Sequence, residues 1–531
     1  MNSKRFTNIA MSAVFLAAIT VPLATMWSGD GSNSEKRNLA DFPVGDLNAQ
    51  GLRHFPQDFE TFVNDRFGFR NALLSLHSYM SYRWFHLSGT AHVIAGKKEW
   101  LFISDDSSLP DLQRTSHFSP DDLAKWKAGL MQRYEWLKSQ GIEYRFLVGP
   151  EKNTIFPELI PTRVKGDGPS RLDELVSYLG ATPYFVNPTA DLLAHKADAG
   201  RKLYFHTDTH WTNYGGYFAY RDLIRSLGER PEDLTFKTVQ PADQKSPFFT
   251  DMSRMIREPR IETIEEPTTP LTPDCQQMRQ AQLPLGVGLQ LTPRTFFATV
   301  CPGKPGTVLA FRDSFFTAIQ PFLSEHYGRV IYLWRDPDSD LLARMVAQER
   351  PNIVIEELVE RGMPYAVPQP DLPEVVQRLS QEKTFTTQDL AIHASMNKLL
   401  GAKIRLVKSG DNEAFVDDGQ TLIKVNDKAS GGHVDDVTKA FESRTFGGWA
   451  GLPAQKVRAD YVVATVADRV VFVAPVGIDR PDVAALFDAD SLAKSGFRFE
   501  LPHDFAQATD HVRLFAVRGD QAAPLSVPAD D

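Results

Sequence analysis

The feature that most limits the fold is an alternation of short apolar runs and helical stretches in the second half of the chain. The apolar runs lie at residues 308–311, 330–333 and 352–356 and have the length of buried strands. Helical stretches at residues 315–327 and 339–348 separate them. Because a strand, helix, strand connection joins parallel strands, this pattern predicts an α/β domain built on a parallel sheet.

A further helix and strand precede this pattern. Between residues 121 and 139, apolar side chains recur every three or four positions, as in one stripe of an amphipathic helix. They are Leu123, Trp126, Leu130, Tyr134 and Leu137. A glycine at position 141 ends the helix, and residues 144–148 are rich in apolar and aromatic side chains. We therefore predict that a helix and then a strand of the same domain lie here.

Ser314, His210 and Asp208 have the chemistry of a serine nucleophile, its base and its orienting acid. Ser314 follows the first apolar run, at the end of a predicted strand, where open parallel sheets bind their ligands. A serine hydroxyl needs a base within reach and a third group that fixes the tautomer of that base. Asp208 and His210 lie two residues apart on a polar loop before a helix predicted at residues 214–227. In isolation, such residues more often form a surface ion pair and a helix N-cap.

The surrounding motifs resemble those of a known family. Asp208-Thr209-His210-Trp211, followed downstream by Arg312-Asp313-Ser314-Phe315, is similar to the alginate O-acetyltransferase (AlgX/AlgJ-like) family, whose catalytic domain is a permuted relative of SGNH esterases. Further similar segments, in the family order, are residues 35–43, 64–70, 96–102 and 150–161. The resemblance covers roughly residues 35 to 365 and implies an SGNH-hydrolase-like domain with a Ser314, His210 and Asp208 triad.

The resemblance also implies a function and partners. The chain would be a polysaccharide O-acetyltransferase whose acyl-serine at Ser314 is attacked by a sugar hydroxyl, and a membrane-bound O-acyltransferase would supply the acetyl donor. A carbohydrate acetylesterase is the alternative enzyme, because water can discharge the same intermediate. A glycan-binding scaffold without catalysis is the alternative from another class. No cofactor and no metal site are expected, since the two cysteines lack ligand spacing.

Four residues near the motifs have more than one interpretation. Serine esterases of the wider superfamily usually have Gly-Asp-Ser where this chain has an arginine first, and arginine does not adopt the backbone angles open to glycine. Either the oxyanion pocket is built differently, or Arg312 points toward substrate. We interpret Trp211 as a packing anchor rather than a sugar platform. Lys152 is expected to be a solvated lysine rather than a ligand for a carboxylate or phosphate. Asp313 is expected to have a turn or helix-cap role rather than that of a catalytic acid.

The N-terminus predicts export. Lys4 and Arg5 precede an apolar run from about residue 9 to residue 27, which is long enough to cross a bilayer as a helix. We expect an uncleaved inner-membrane anchor with the rest of the chain in the periplasm; a cleaved signal peptide is the alternative. Cys275 and Cys301 suit an oxidising compartment and are predicted to form a disulfide.

The predicted layout follows from these features and from a change of character near residue 370. It comprises an anchor at 1–27, a linker at 28–55, an SGNH-hydrolase-like domain at 56–370, a helical connector at 371–400 and a β-rich domain at 401–531. The last domain is expected to be a sandwich or jelly roll that either binds carbohydrate or is purely structural. A formal net charge of −9 gives no general attraction to nucleic acid, so no nucleic-acid partner is expected.

Overall fold

The computed structural model describes residues 3–25, 40–43, 49–67, 69–105, 107–198, 200–281, 294–381, 392, 395–396, 398–399, 404–409, 412–417, 419–439, 443–502 and 512–527. Parts of several predicted segments lie outside these residues: the two ends of the anchor, most of the linker, most of the helical connector beyond residue 381, parts of the β-rich domain, and the first segment of the family resemblance up to residue 39.

Four of the described helices begin at an N-cap side chain that accepts a hydrogen bond. The described α-helices are α1 (Ser3–Thr25), α2 (Ala49–Arg66), α3 (Arg70–Phe85), α4 (Ser108–Leu112), α5 (Pro120–Ser139), α6 (Lys152–Ile155), α7 (Arg171–Leu179), α8 (Thr189–Ala194), α9 (Asn213–Ser226), α10 (Asp251–Met255), α11 (Pro273–Gln276), α12 (Gln320–His326), α13 (Ser339–Glu349), α14 (Leu372–Gln381) and α15 (Pro481–Phe487). The four capped helices are α5, α7, α9 and α13. At the start of α5, the Ser119 hydroxyl accepts a hydrogen bond from the Asp122 amide (3.1 Å), and the Asp122 carboxylate accepts one from the Ser119 amide (3.3 Å). The helix predicted at residues 121–139 is thereby confirmed.

The centre of the molecule is a seven-stranded sheet. The strands up to residue 359 are β1 (Val93–Ala95), β2 (Leu101–Ile103), β3 (Glu143–Gly149), β4 (Phe185–Val186), β5 (Phe236–Val239), β6 (Ile264–Pro267), β7 (Arg279–Gln280), β8 (Phe296–Val300), β9 (Thr307–Phe311), β10 (Arg329–Leu333) and β11 (Ile353–Val359). The order in the central sheet is β4-β3-β11-β9-β10-β8-β7. The first five are parallel, and β8 and β7 are antiparallel to their neighbours. The predicted parallel sheet is confirmed, with an antiparallel edge added.

Both faces of this sheet are buried, which explains why its strands are apolar without alternation. Along β9, Val308 and Ala310 face a core shared with α9 and α12. Leu309 and Phe311 face a second core shared with α5, α7 and α13. The domain therefore has three layers, with the sheet between two helical layers.

The segment between α9 and β9 is partly built into the sheet. It contributes β7 and β8, and its β5 and β6 pair with each other. The predicted disulfide is confirmed, because Cys275 in α11 is bonded to Cys301 at the end of β8 (S–S 2.06 Å). The disulfide therefore ties α11 to the antiparallel edge of the sheet.

The C-terminal region is β-rich, but its architecture differs from the predicted sandwich or jelly roll. Its strands are β12 (Arg405–Ser409), β13 (Asn412–Asp417), β14 (Gln420–Val425), β15 (Gly432–Lys439), β16 (Ser443–Leu452), β17 (Val457–Arg458), β18 (Tyr461–Val466), β19 (Arg469–Pro475), β20 (Gly496–Pro502), β21 (Val512–Arg518) and β22 (Gln521–Pro524). Seven of them close into a barrel in the order β12-β13-β14-β22-β21-β18-β19, and β15, β16, β17 and β20 form a separate sheet. Closure depends on the parallel pairing of β22 with β14, a contact between distant segments that no local pattern specifies.

The N-terminal helix α1 carries the apolar run identified in the sequence. Across the described residues, no helix combines the length and apolar character needed to cross a bilayer. The anchor at residues 1–27 stays a prediction.

Candidate active site

Ser314 lies at the carboxyl edge of the parallel sheet, three residues after β9 ends. It is half-buried, and the next residues form a short 3₁₀ helix (Phe315–Ala318). Asp313 fixes this turn, because its carboxylate accepts hydrogen bonds from the Phe315 amide (2.7 Å) and the Val359 amide (2.7 Å). The turn role expected for Asp313 is therefore confirmed.

The structure brings the three predicted residues together. His210 Nε2 lies 2.8 Å from Ser314 Oγ, and His210 Nδ1 lies 2.7 Å from the Asp208 carboxylate. Each imidazole nitrogen thus has a hydrogen-bonded partner in the predicted set, and Nδ1 also lies 3.2 Å from the Thr209 hydroxyl oxygen. With Nδ1–H donating to Asp208, Nε2 is free to accept a proton from Ser314.

Asp208 is a buried carboxylate that is stabilised as the anion. It also accepts hydrogen bonds from the amides of His210 (3.1 Å) and Asp251 (2.8 Å). Burial acts to raise the pKa of Asp208, but the hydrogen bonds and charge of His210 and the two amides outweigh it and lower the pKa to about 2. Asp208 is therefore ionised over the whole physiological pH range.

His210 is in turn made more basic by its surroundings. Burial acts to lower the pKa of His210, but the hydrogen bond to Asp208 and the charges of Asp208 and Asp251 raise it above 6.5. The charge of Arg361 opposes this rise. A base with a raised pKa removes the serine proton more readily, provided that the pH keeps it neutral.

Asp251 belongs to the site although the sequence did not indicate it. It begins α10, and its carboxylate accepts hydrogen bonds from the Thr209 amide (2.9 Å) and hydroxyl (2.6 Å). One of its oxygens lies 4.0 Å from His210 Nδ1. Burial and the charge of Asp208 raise the pKa of Asp251. No local signal distinguishes this aspartate from any other helix-start residue, because its partners lie about 40 residues earlier in the chain.

Asp208, His210 and Asp251 each offer one atom that could bind a metal ion, and these three atoms lie within 4.8 Å of one another. However, these atoms already satisfy one another and Thr209 through hydrogen bonds. The arrangement suits proton transfer more directly than metal coordination.

Lys152 holds the loop that carries Asp208 and His210. Its ammonium group donates to the backbone carbonyls of Phe205 (3.1 Å), His206 (3.2 Å) and Asp208 (2.7 Å). The side chain is 2% exposed, and burial lowers the pKa of Lys152 to about 8 despite nearby carboxylates. The expectation of a solvated lysine was wrong, because a loop 53 residues or more downstream supplies its partners.

Glu262 holds the amide groups of the same loop and was also missed. Its carboxylate accepts from the Thr207 amide (2.7 Å), the Thr207 hydroxyl (2.7 Å) and the His206 amide (3.1 Å), and it pairs with Lys202 (2.9 Å). Burial acts to raise the pKa of Glu262, but these hydrogen bonds and the lysine lower it to about 2. The loop is therefore held by a cation at its carbonyl groups and by a carboxylate at its amide groups.

Trp211 and Arg312 are both buried. The Trp211 indole is 1% exposed and donates to the Phe315 carbonyl (2.7 Å), which confirms its role as a packing anchor. The Arg312 guanidinium lies 4.1 Å from the centroid of the Trp334 ring and donates to the Thr317 hydroxyl (3.2 Å). Arg312 is therefore a buried residue that packs on Trp334 beside the turn carrying Ser314.

Glu357, near the end of β11, supports the turn that carries Ser314. Its carboxylate accepts from the Asp313 amide (3.1 Å) and is 2% exposed. Burial and the adjacent Asp313 charge raise the pKa of Glu357 well above its ordinary value. A neutral Glu357 avoids placing a second negative charge beside the Asp313 carboxylate.

Close packing joins α9 to the residues after Ser314. A Cβ on Gly216 would lie 2.6 Å from Ala318 Cβ and 2.7 Å from the Ala318 carbonyl. Only a residue without a side chain allows this approach. The helix that follows His210 thereby packs directly against the 3₁₀ helix that follows Ser314.

The chain is similar to several known proteins. A family profile described as an SGNH hydrolase-like domain of the acetyltransferase AlgX matches residues 93–264. The probable alginate O-acetylase AlgJ of Pseudomonas fluorescens is 24% identical over 220 residues, which are 40% of this chain and 53% of that protein. The chain thus spans about half the length of this curated relative. The profile match includes Asp208 and His210 and ends before Ser314.

Two solved structures are also similar. The O-acetyltransferase domain of Pseudomonas putida AlgJ is 16% identical, with a TM-score of 0.31 over 57% of this chain and 98% of that domain. Pseudomonas aeruginosa AlgX is 14% identical, with a TM-score of 0.32 over 81% of this chain and 90% of that one.

Proposed function

Because this chain carries an SGNH hydrolase-like domain of the AlgX/AlgJ-like family, we propose that it is an O-acetyltransferase acting on an envelope or extracellular polysaccharide. The observation that carries the proposal is the continuous chain of hydrogen bonds from Ser314 through His210 to Asp208. Under this proposal Ser314 is the nucleophile, His210 the general base and acid, and Asp208 the group that orients His210.

Acylation begins when His210 Nε2 accepts the Ser314 hydroxyl proton while Oγ attacks the carbonyl carbon of an acetyl donor. The tetrahedral adduct carries the negative charge on the former carbonyl oxygen. Its collapse breaks the bond to the leaving group of the donor, which takes the proton from His210. Asp208 remains ionised and stabilises the imidazolium. The products are an acetyl ester on Ser314 and the deacylated donor.

Deacylation reverses the proton movements. A sugar hydroxyl gives its proton to His210 and attacks the acetyl carbon, and Ser314 leaves and regains the proton. Water in place of the sugar would make the chain an acetylesterase, because the intermediate is the same.

The setting of the reaction is part of the same proposal. An oxidising compartment, which we take to be the periplasm, suits the disulfide between Cys275 and Cys301. The N-terminal apolar segment would serve as an anchor or as a cleaved signal. A membrane-bound O-acyltransferase would deliver the acetyl donor, and the polysaccharide would be the acceptor.

Intact-protein mass spectrometry tests the reaction. The purified protein is exposed to an activated acetyl ester with and without candidate polysaccharides, beside Ser314→Ala and the control Ser380→Ala, which changes an exposed serine on α14. We expect one acetyl adduct in the wild type and in Ser380→Ala, none in Ser314→Ala, and discharge of the adduct onto polymer.

The other outcomes separate the alternatives. An adduct that is lost to water alone would indicate a carbohydrate acetylesterase. Polymer binding that is equal in wild type and Ser314→Ala, with no adduct in either, would indicate a glycan-binding scaffold.

A further inference from the structure

A small cleft lies where the antiparallel edge of the central sheet meets the barrel. It is bounded by the α11 to β7 segment on one side and by the first residues of β12 and β19 on the other. Its polar lining residues are Asp274, Gln277, Arg279, Arg405 and Arg469. We name it the junction cleft; none of its residues has a part in the reaction at Ser314.

Arg279 is the unusual member of the junction cleft. Its side chain is buried, with 8% of the residue exposed, and Nη2 donates one hydrogen bond, to the Gln277 side-chain oxygen (3.3 Å). Its Nε has no hydrogen-bond partner among the described residues. A buried guanidinium with an unsatisfied donor is strongly unfavourable, so such a group normally faces an anion.

The carboxylates near Arg279 do not offset the positive charge of the junction cleft. Arg405 and Arg469 add two positive charges to the same cleft, while Asp274 is the one carboxylate in its described lining. Burial and these two arginines lower the pKa of Arg279, against the effect of Asp274. Asp468 lies 3.6 Å from Arg405, outside the lining. The adjoining segments 282–293 and 400–403 contain no Asp or Glu, so they have no carboxylate to offer.

We propose that the junction cleft is an anion site in which Arg279, with Arg405 and Arg469, binds a carboxylate or a similarly small anion between the sheet domain and the barrel. Its volume of about 10 Å³ admits one group the size of a water molecule, such as a single carboxylate oxygen. The bound anionic group could come from two sources: a free small anion, or a carboxylate of an acidic polysaccharide. The inference does not depend on the proposed acetyl transfer, since the site is separate from Ser314.

Thermal unfolding of the full chain tests the site. The midpoint is measured with increasing acetate, phosphate or a tetra-uronate at constant ionic strength, because a ligand that binds only the folded state raises it saturably. Arg279→Gln removes the buried cation, and Arg469→Gln removes an exposed one, which keeps the test usable if the first variant folds poorly. Arg498→Gln, on the four-stranded sheet and 3.3 Å from Asp436, is the matched control.

We expect the unfolding midpoint to rise saturably with anion concentration in the wild type and in Arg498→Gln. This rise should be lost in Arg279→Gln, and the apparent affinity for the anion should be at least fivefold weaker in Arg469→Gln. Saturation by tetra-uronate at a much lower carboxylate concentration than acetate would identify the polymer as the source. Equal concentrations would identify a free small anion. A wild type without a saturable response, or the same response in all four proteins, would overturn the proposal.

Discussion

At the scale of single residues, the protonation of His210 sets the pH range in which Ser314 can react. Its Nε2 must be neutral to accept the serine proton, and its pKa is raised above 6.5. We therefore predict that the rate of Ser314 acylation rises with pH through a midpoint above 6.5 and then levels off. The measurement is the acylation rate with an activated acetyl ester between pH 5 and pH 9.

Asp208→Asn separates this explanation from a general effect of pH. The substitution removes the Asp208 charge that helps to raise the pKa of His210 and leaves a neutral amide in its place, while burial remains, so the midpoint should move to lower pH. The plateau rate should also fall, by on the order of 10⁴-fold if the site behaves like other serine triads. An unchanged midpoint in Asp208→Asn would show that another group controls the profile.

Lys152 is predicted to act by positioning the loop of residues 205–210. Lys152→Met keeps much of the apolar volume but removes a donor from three carbonyl oxygens. We expect a loss of about 1–3 kcal/mol in the free energy of unfolding, together with slower acylation of Ser314. Urea unfolding and the acylation rate measure the two effects.

Lys97→Met is the matched control for that substitution. Lys97 is exposed and donates one hydrogen bond, to the Glu158 carbonyl (2.9 Å), so its loss should change stability little. Equal effects of the two substitutions on acylation would contradict a positioning role for Lys152.

At the scale of elements, α10 supports His210 and lies in the segment between α9 and β9. Asp251→Ala keeps the backbone amide that binds Asp208 but removes the carboxylate that binds Thr209. A hydrogen bond to a charged group contributes about 1.5–3 kcal/mol, so we expect a loss of acylation rate of roughly tenfold or more. The midpoint of the pH profile should also move down, because the Asp251 charge helps to raise the pKa of His210.

Asp251→Asn refines this prediction. An amide oxygen can still accept from Thr209, but the negative charge is gone. We expect it to retain more of the plateau rate than Asp251→Ala while shifting the midpoint to a similar extent. A rate unaffected by either substitution would mean that α10 is only a surface element.

Some elements and site residues could be predicted from local sequence, and others could not. β9, β10 and β11 were predictable because their apolar runs are continuous and the helices between them have their own spacing. Asp208, His210 and Ser314 were predictable because the chemistry of the three residue types is complementary. Lys152, Asp251 and Glu262 were not, because each acts through a loop that is distant in the chain. Closure of the barrel through the pairing of β14 with β22 could not be predicted for the same reason, since the register between distant strands has no local signature.

At the scale of the whole molecule, the cores of the two main parts are separate. The sheet domain has one core on each face of its sheet, while the barrel and the four-stranded sheet have cores of their own. Met278 is a partly buried residue that packs against both a sheet-domain core and a barrel-side core. Few core contacts are shared among the residues that the structure describes, which favours unfolding in two steps.

Matched Leu→Ala substitutions test this independence. Leu342 on α13 and Leu514 on β21 are both fully buried, each in one of the separate cores. Each truncation should cost about 2–5 kcal/mol, but in different transitions of a calorimetric scan. We expect Leu342→Ala to lower the temperature at which Ser314 loses its capacity for acylation, and Leu514→Ala to lower the other transition while leaving that temperature unchanged. If both substitutions lowered a single transition equally, the two parts would unfold as one cooperative unit, and the junction between them would contribute far more to stability than the contacts of Met278 suggest.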